Sequence, residues 1–149
     1  MPAMTSEPSP PTLFTRIING DLPGHFVWRD PQAVAFLSIA PLQPGHTLVV
    51  PVEEVDHWID CSPSLAAHLM AVSHTIGQAL QAVYSPLRIG LIVAGFEVPH
   101  THVHVIPTRG MQDLDFSNAA SGVSPDALAG EAAKIRTRLA AMGRTEASE

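Results

Sequence analysis

Three histidines, His100, His102 and His104, alternate with Thr101 and Val103 in the segment PHTHVHVIPTRG, which runs from Pro99 to Gly110. In an extended chain successive side chains point to opposite faces. The three imidazoles then share one face, and Thr101, Val103 and Val105 take the other. Neighbouring histidine Cα atoms would be about 6.7 Å apart and the outer two about 13 Å. Three readings fit. A metal needs ligating nitrogens within roughly 3.5 Å of each other. Adjacent histidines can converge in that way, but His100 and His104 on a straight strand cannot, so a metal would take two of the three plus outside ligands. The second reading is a row of packed, hydrogen-bonded histidines. The third is attack on a phosphate, since a neutral imidazole is nucleophilic near pH 7. A central attacker, His102, would then have a helper on each side. Such a reaction also needs N–H donors around the phosphate oxygens and a donor for the leaving group. A backbone carbonyl on the second ring nitrogen of His102 would fix its tautomer. Backbone N–H groups around Gly95, where no side chain blocks close approach, could hold the oxygens.

The surrounding pattern supplies elements to carry this segment. TLFTRIING reads as a short helix, with Thr12 as N-cap, Leu13, Phe14, Ile17 and Ile18 as its apolar stripe, and Gly20 as its stop. GHFVWRDPQAVAFLSI reads as two strands around Asp30-Pro31, and GHTLVVP as a third. Ser62-Pro63 opens a long helix whose apolar residues Leu65, Leu69, Val72, Ile76, Leu80 and Val83 step by three or four to about Tyr84. LRIGLIVAG is a fourth strand. The histidine segment is the fifth, starting at Pro99, which has no N–H to give. Ser124-Pro125-Asp126 opens a last helix bearing Leu128, Ala132, Ile135, Leu139 and Met142 on one side. The class is α+β: a five-stranded antiparallel sheet, expected as a meander, with one long helix between strands 3 and 4, a short N-terminal helix and a C-terminal helix. The expected division is a disordered tail over residues 1–11, a domain over 12–110, a C-terminal loop and helix extension over 111–143, and a disordered tail over 144–149.

At 149 residues, 46% hydrophobic and 15% charged, the chain can bury a proper core. The net charge of −6 and eight scattered basic residues argue against a nucleic-acid partner. No stretch approaches the roughly 20 apolar residues of a membrane span, and the first residues lack the charged start and apolar core of a secretion signal. Cys61 is the single cysteine, so neither an internal disulfide nor a cysteine-based zinc site is expected. A cytoplasmic location is the expectation.

PHTHVHVIP resembles the His-x-His-x-His signature of the histidine triad (HIT) family. LFTRIINGDLPGHFVWRD resembles that family's opening helix and first strand. VAFLSIAPLQPGHTLVVP and AGFEVPHTHVHVIP resemble two further blocks of it, in the right order from Leu13 to Pro107. The resemblance implies a homodimer that binds a purine nucleotide or nucleotide conjugate, needs no metal or other cofactor, and attacks an α-phosphate. It implies His102 as the nucleophile of a nucleotidyl-histidine intermediate. His104 and His46 would hold phosphate oxygens, and His100 would orient. Leu13, Phe14, Ile17, Leu22, Leu37 and Ile39 fall on the family's apolar base pocket, Ser38 on its ribose position, and Gly95 and Glu97 on its phosphate side.

Several residues depart from the family's pattern. Ser38 stands where an Asp commonly grips the ribose, Phe96 replaces a Gln, and Glu97 replaces a small hydroxyl residue. A carboxylate there repels phosphate unless it points away or is protonated. The four places where some members hold a structural zinc are here Thr12, Thr15, Glu54 and His100, so such a site is not expected. His25, His57, His68, His74 and Arg109 read as surface or locally satisfied residues. The expected function is a nucleotide hydrolase or nucleotidyl transferase, cleaving a P–O or P–N bond, as in phosphoramidates or dinucleoside polyphosphates. The alternatives are a catalytically weak nucleotide sensor and a metal-dependent enzyme using two of the histidines.

Overall fold

Local signals place the helices. In the computed structural model, which describes residues 9–149, α1 spans Leu13–Ile18 and the Thr12 hydroxyl accepts from the Thr15 backbone N–H. The long helix α2 spans Pro63–Tyr84, capped by Ser62 and ended by Ser85 in the left-handed region. The last, α3, spans Pro125–Ala141 and is capped by Ser124. Each cap satisfies a backbone N–H that the first turn leaves without a partner. The strands are β1 (Phe26–Arg29), β2 (Ala33–Leu37), β3 (Thr47–Pro51), β4 (Arg88–Ile92) and β5 (Val103–Thr108).

All neighbouring strands pair antiparallel, in the order β1-β2-β3-β5-β4. The protein is therefore α+β, with α2 joining β3 to β4 as the apolar spacing predicts. The sheet is not a full meander. Leaving β3, the chain crosses over through α2 to the far edge at β4 and returns between the two as β5.

Alternation splits each strand between two cores. Ala33, Ala35, Leu37, Val49, Val103 and Val105 face α2 and α3, where Leu69, Ile76, Leu80, Ile135 and Leu139 meet them. Val34, Phe36, Leu48 and Val50 face the other way, under Phe14 of α1. His104, between Val103 and Val105 in β5, belongs to this second face. Burying each large aliphatic side chain contributes about 1.5–3 kcal/mol, so the face under α2 carries most of the stability. The other face is free to carry polar groups.

Two expectations need correction. The fifth strand begins at Val103, not at Pro99. The backbone N–H of Thr101 goes to Val55 O (2.7 Å) and that of His100 to Val98 O (2.8 Å), so this stretch bonds to the loop after β3 instead of to a strand. Residues 144–149 are not a free tail. Arg29 N–H donates to Glu146 O (2.9 Å), Ser148 N–H to Val27 O (3.4 Å), and Ala147 packs on the core, so the segment runs along the outer edge of β1. The edge strand offers unpaired backbone groups, and the C-terminal residues take them. The tail expected over residues 1–11 lies mostly outside the described residues.

Candidate active site

The three histidines come together although only His104 lies in a strand. The rings of His102 and His104 are 4.9 Å apart, centroid to centroid, and those of His46 and His104 are 5.1 Å apart. Phe14 meets His102 edge-on at 4.9 Å and His100 at 5.8 Å, so α1 presses the first two rings onto one side. All four imidazoles are buried.

Hydrogen-bond partners fix the protons, because a carbonyl can only accept and a backbone N–H can only donate. His102 Nδ1 is 2.7 Å from His100 O, so it carries the hydrogen and leaves Nε2 as a bare lone pair in the neutral ring. His100 Nε2 donates to Pro51 O (2.7 Å), and its Nδ1 accepts from the Thr12 hydroxyl (2.7 Å). Leu42 N–H donates to His46 Nδ1 (3.0 Å), so the His46 hydrogen sits on Nε2 and goes to His104 Nδ1 (2.9 Å). His104 is thereby left with its hydrogen on Nε2. The arrangement presents a lone pair on His102 Nε2 beside an N–H donor on His104 Nε2.

Neither of these two atoms has a hydrogen-bond partner, yet among the described residues no buried side-chain nitrogen or oxygen lacks one. Both nitrogens therefore retain some exposure to solvent. Burial pushes the His46 pKa down to about 3, helped by His104. Burial, then His102, pushes His104 down to about 4 against an upward pull from Glu97. His100 is lowered, chiefly by burial. These rings stay neutral at pH 7, as the hydrogen-bond chain requires.

An apolar cavity of about 270 Å³ adjoins the triad across Phe14 and brings together Leu13, Phe14, Ile17, Leu22, Leu37, Ser38 and Ile39, with Pro23, His25, Phe36 and Leu48. The Ser38 hydroxyl accepts from Ala40 N–H (3.2 Å) and keeps its own hydrogen to donate. A second cavity of about 250 Å³ shares the Leu37–Ser38 wall and runs past His46 to Val123, Leu128 and Glu131. Glu97 lines neither cavity; its exposed carboxylate has Oε2 3.9 Å from His102 Nε2. Gly95 adopts φ +90°, a conformation that favours glycine, and makes no hydrogen bond to a triad ring. Phe96 is 94% exposed and points into solvent.

The four positions of the zinc site found in some relatives also converge. Thr12 N–H donates to Glu54 (2.8 Å), and the Thr12 hydroxyl lies within hydrogen-bond distance of Thr15 Oγ1 (3.3 Å) and His100 Nδ1 (2.7 Å). Two hydroxyls, one carboxylate and an imidazole with both nitrogens engaged are a poor donor set for zinc. Among the described residues, Glu97, His102 and His104 are the group that could hold a metal ion, with ligand atoms within 4.8 Å of one another.

Sequence reasoning missed Phe116. Its ring meets His104 edge-on at 4.9 Å and lies tilted 6.5 Å from His46, while Phe14 covers His100 and His102. It sits in a short helical turn, Phe116–Asn118, outside every motif, and nothing local marks it. His68, by contrast, is satisfied by Asp30 at 2.8 Å, as a structural histidine should be.

This geometry defines a class, a cluster of four hydrogen-bonded imidazoles on one face of an α+β sheet, and comparison with known proteins gives the family. The HIT domain matches residues 19–111, and the chain belongs to the HIT family. It is 37% identical over 102 residues to an uncharacterized HIT-like protein of Borreliella burgdorferi, covering 64% of this chain and 73% of that one. It is 35% identical over 95 residues to the asymmetrical bis(5'-nucleosyl)-tetraphosphatase of Schizosaccharomyces pombe, covering 60% of this chain and 50% of that one. Among solved structures, a hypothetical histidine triad nucleotide-binding protein from Sulfolobus tokodaii superposes with a TM-score of 0.78. That match has 27% identity and covers 88% of this chain and 93% of the other.

Proposed function

We propose that this protein is a metal-independent nucleotide hydrolase or nucleotidyl transferase acting at a nucleoside α-phosphate. The observation that carries the reading is the pairing of a bare His102 Nε2 with the Nε2–H of His104 beside an apolar cavity. The base, a purine for preference, stacks among Leu13, Ile17, Leu22 and Ile39. The Ser38 hydroxyl donates to the ribose, and the N–H of His104 binds a phosphate oxygen.

His102 Nε2 attacks phosphorus, and the bond to the leaving group breaks with its electron pair going to the leaving atom, which takes a proton from solvent. The ring gains positive charge, which its Nδ1–H shares with His100 O. Water then attacks the nucleotidyl-histidine, loses a proton and returns the neutral ring. Dinucleoside polyphosphates, as in the fission-yeast relative's name, and phosphoramidates both fit this scheme.

The protein works as a homodimer in this reading. The edge strand β4, unpaired on its outer side among the described residues, bears exposed Leu91 and is followed by exposed Val93, with Trp58 and Met70 beside them, an apolar surface suited to a second copy. A cytoplasmic setting suits nucleotide substrates and the unpaired thiol of Cys61. Among the described residues no helix is long and apolar enough to cross a membrane.

The test is His102→Ala. Turnover should fall at least about a thousand-fold with the fold intact by circular dichroism, and the wild type quenched in acid-free denaturant should carry a nucleotidyl adduct by mass spectrometry. Full activity in the variant would sink the mechanism. The Glu97 carboxylate beside the attack site favours a second reading, a catalytically weak nucleotide sensor. Calorimetry that detects AMP or GMP binding by a protein without turnover would support it.

A further inference from the structure

Glu97 is the formal charge beside the nucleophile. Its carboxylate lies 3.9 Å from His102 Nε2, with the side chain 61% exposed. Among the described residues it forms no ion pair with any Lys or Arg. Its influence extends to His104, whose protonation it favours against burial.

Position decides which part of a substrate meets this charge. The apolar cavity adjoins His102 through Phe14, and Glu97 is not part of its lining. A nucleoside seated there presents its α-phosphate to His102, and the leaving group, which the phosphate carries beyond the cavity, is the part of the substrate left to meet the exposed Glu97 carboxylate beside Nε2. At a near-attack separation of about 3–3.5 Å between Nε2 and phosphorus, the leaving atom sits one bond farther out, within reach of this carboxylate. A polyphosphate leaving group would bring further negative charge against Glu97, with no Lys or Arg ion-paired to it among the described residues. An ammonium ion would be attracted.

Resting on the reading of His102 as nucleophile, we propose that Glu97 selects the leaving group. The favoured substrates are nucleoside monophosphates joined through the α-phosphate to an amine-bearing group, whose ammonium pairs with Glu97. The chemistry is the transfer already described. The phosphorus–leaving-group bond breaks to give the free amine-bearing group with one added proton, and water releases the nucleoside monophosphate from His102. Glu97 takes no part in bond making. Because it is exposed, water and salt weaken its effect, and discrimination on the order of ten-fold per unit of charge is expected.

Three adenosine 5′-phosphoramidates of matched length test this, their amine portions ending in an ammonium (from ethylenediamine), a methyl (from propylamine) or a carboxylate (from β-alanine). In the wild type, kcat/KM should fall in that order over a span of ten-fold or more, and the span should shrink at high salt. In Glu97→Gln the three should agree within about two-fold. Equal rates in the wild type, or an undiminished span in Glu97→Gln, would overturn the assignment and leave nucleotidyl transfer by His102 standing. If the wild type cleaves none of the three, both readings fall together.

Discussion

Lowering the pH should unfold this protein through His46 and His104. The hydrogen-bond chain from Leu42 N–H through His46 to His104 accepts only neutral rings. A proton on His46 Nδ1 would face the Leu42 N–H, and one on His104 Nδ1 would face the His46 N–H. Accordingly the folded pKa values are depressed to about 3 and about 4, against about 6.5 for an unfolded histidine. The unfolded chain then binds more protons, so stability is fully present above pH 6.5 and is lost as the pH falls below it. At pH 5 each ring costs about 2 kcal/mol, and the pair about 4 kcal/mol, relative to pH 7.5. With a urea slope of about 2 kcal/mol per molar, the unfolding midpoint should drop by about 2 M. Urea titrations at pH 7.5, 6 and 5, followed by tryptophan fluorescence, would measure it. The His46→Gln, His104→Gln double variant should lose most of the pH dependence. A wild-type midpoint equal at pH 7.5 and 5, or an unchanged slope in the double variant, would refute the assignment of neutral rings.

Thr12→Val keeps the side-chain shape but leaves His100 Nδ1 without a partner and α1 without its cap; the loss should be about 2–4 kcal/mol by urea unfolding, with a lower kcat as the His100 carbonyl shifts under His102. Gly45 adopts φ +90° against the ring of Tyr84, itself held by Glu131. Gly45→Ala should cost about 1–3 kcal/mol and weaken nucleotide binding, read by calorimetry, because residue 45 sets the approach to His46. Deleting residues 145–149 removes the backbone bonds to Val27 and Arg29. The truncated chain should aggregate faster on shaking at neutral pH, measured by light scattering.

The features that sequence carried best are those with local causes. Thr12, Ser62 and Ser124 cap the helices they were expected to cap, since a cap needs only a hydroxyl three residues ahead of an N–H. The long run from Leu65 to Leu80 repeats at helical spacing and is buried as predicted. The apolar pocket residues were legible only through family likeness, and all six of them, with Ser38, line one cavity. What sequence hid depends on distant partners. The strand boundary at Val103 is set by Val55, 46 residues before Thr101. The place of β5 between β3 and β4 follows from the crossover, not from any turn. Phe116 and the 144–149 segment carry no periodicity at all, and only the folded sheet gives them a place.

The strip of chain along β1 has a consequence for growth. With that border occupied, backbone pairing between molecules has, among the described residues, a single open border, along β4. Two copies joined there by a two-fold axis would consume the open border of both, and no third could add by the same means. Residues 144–149 thus act as a terminator on the β1 side, so that any assembly through strand pairing would close at two copies instead of growing into a ribbon.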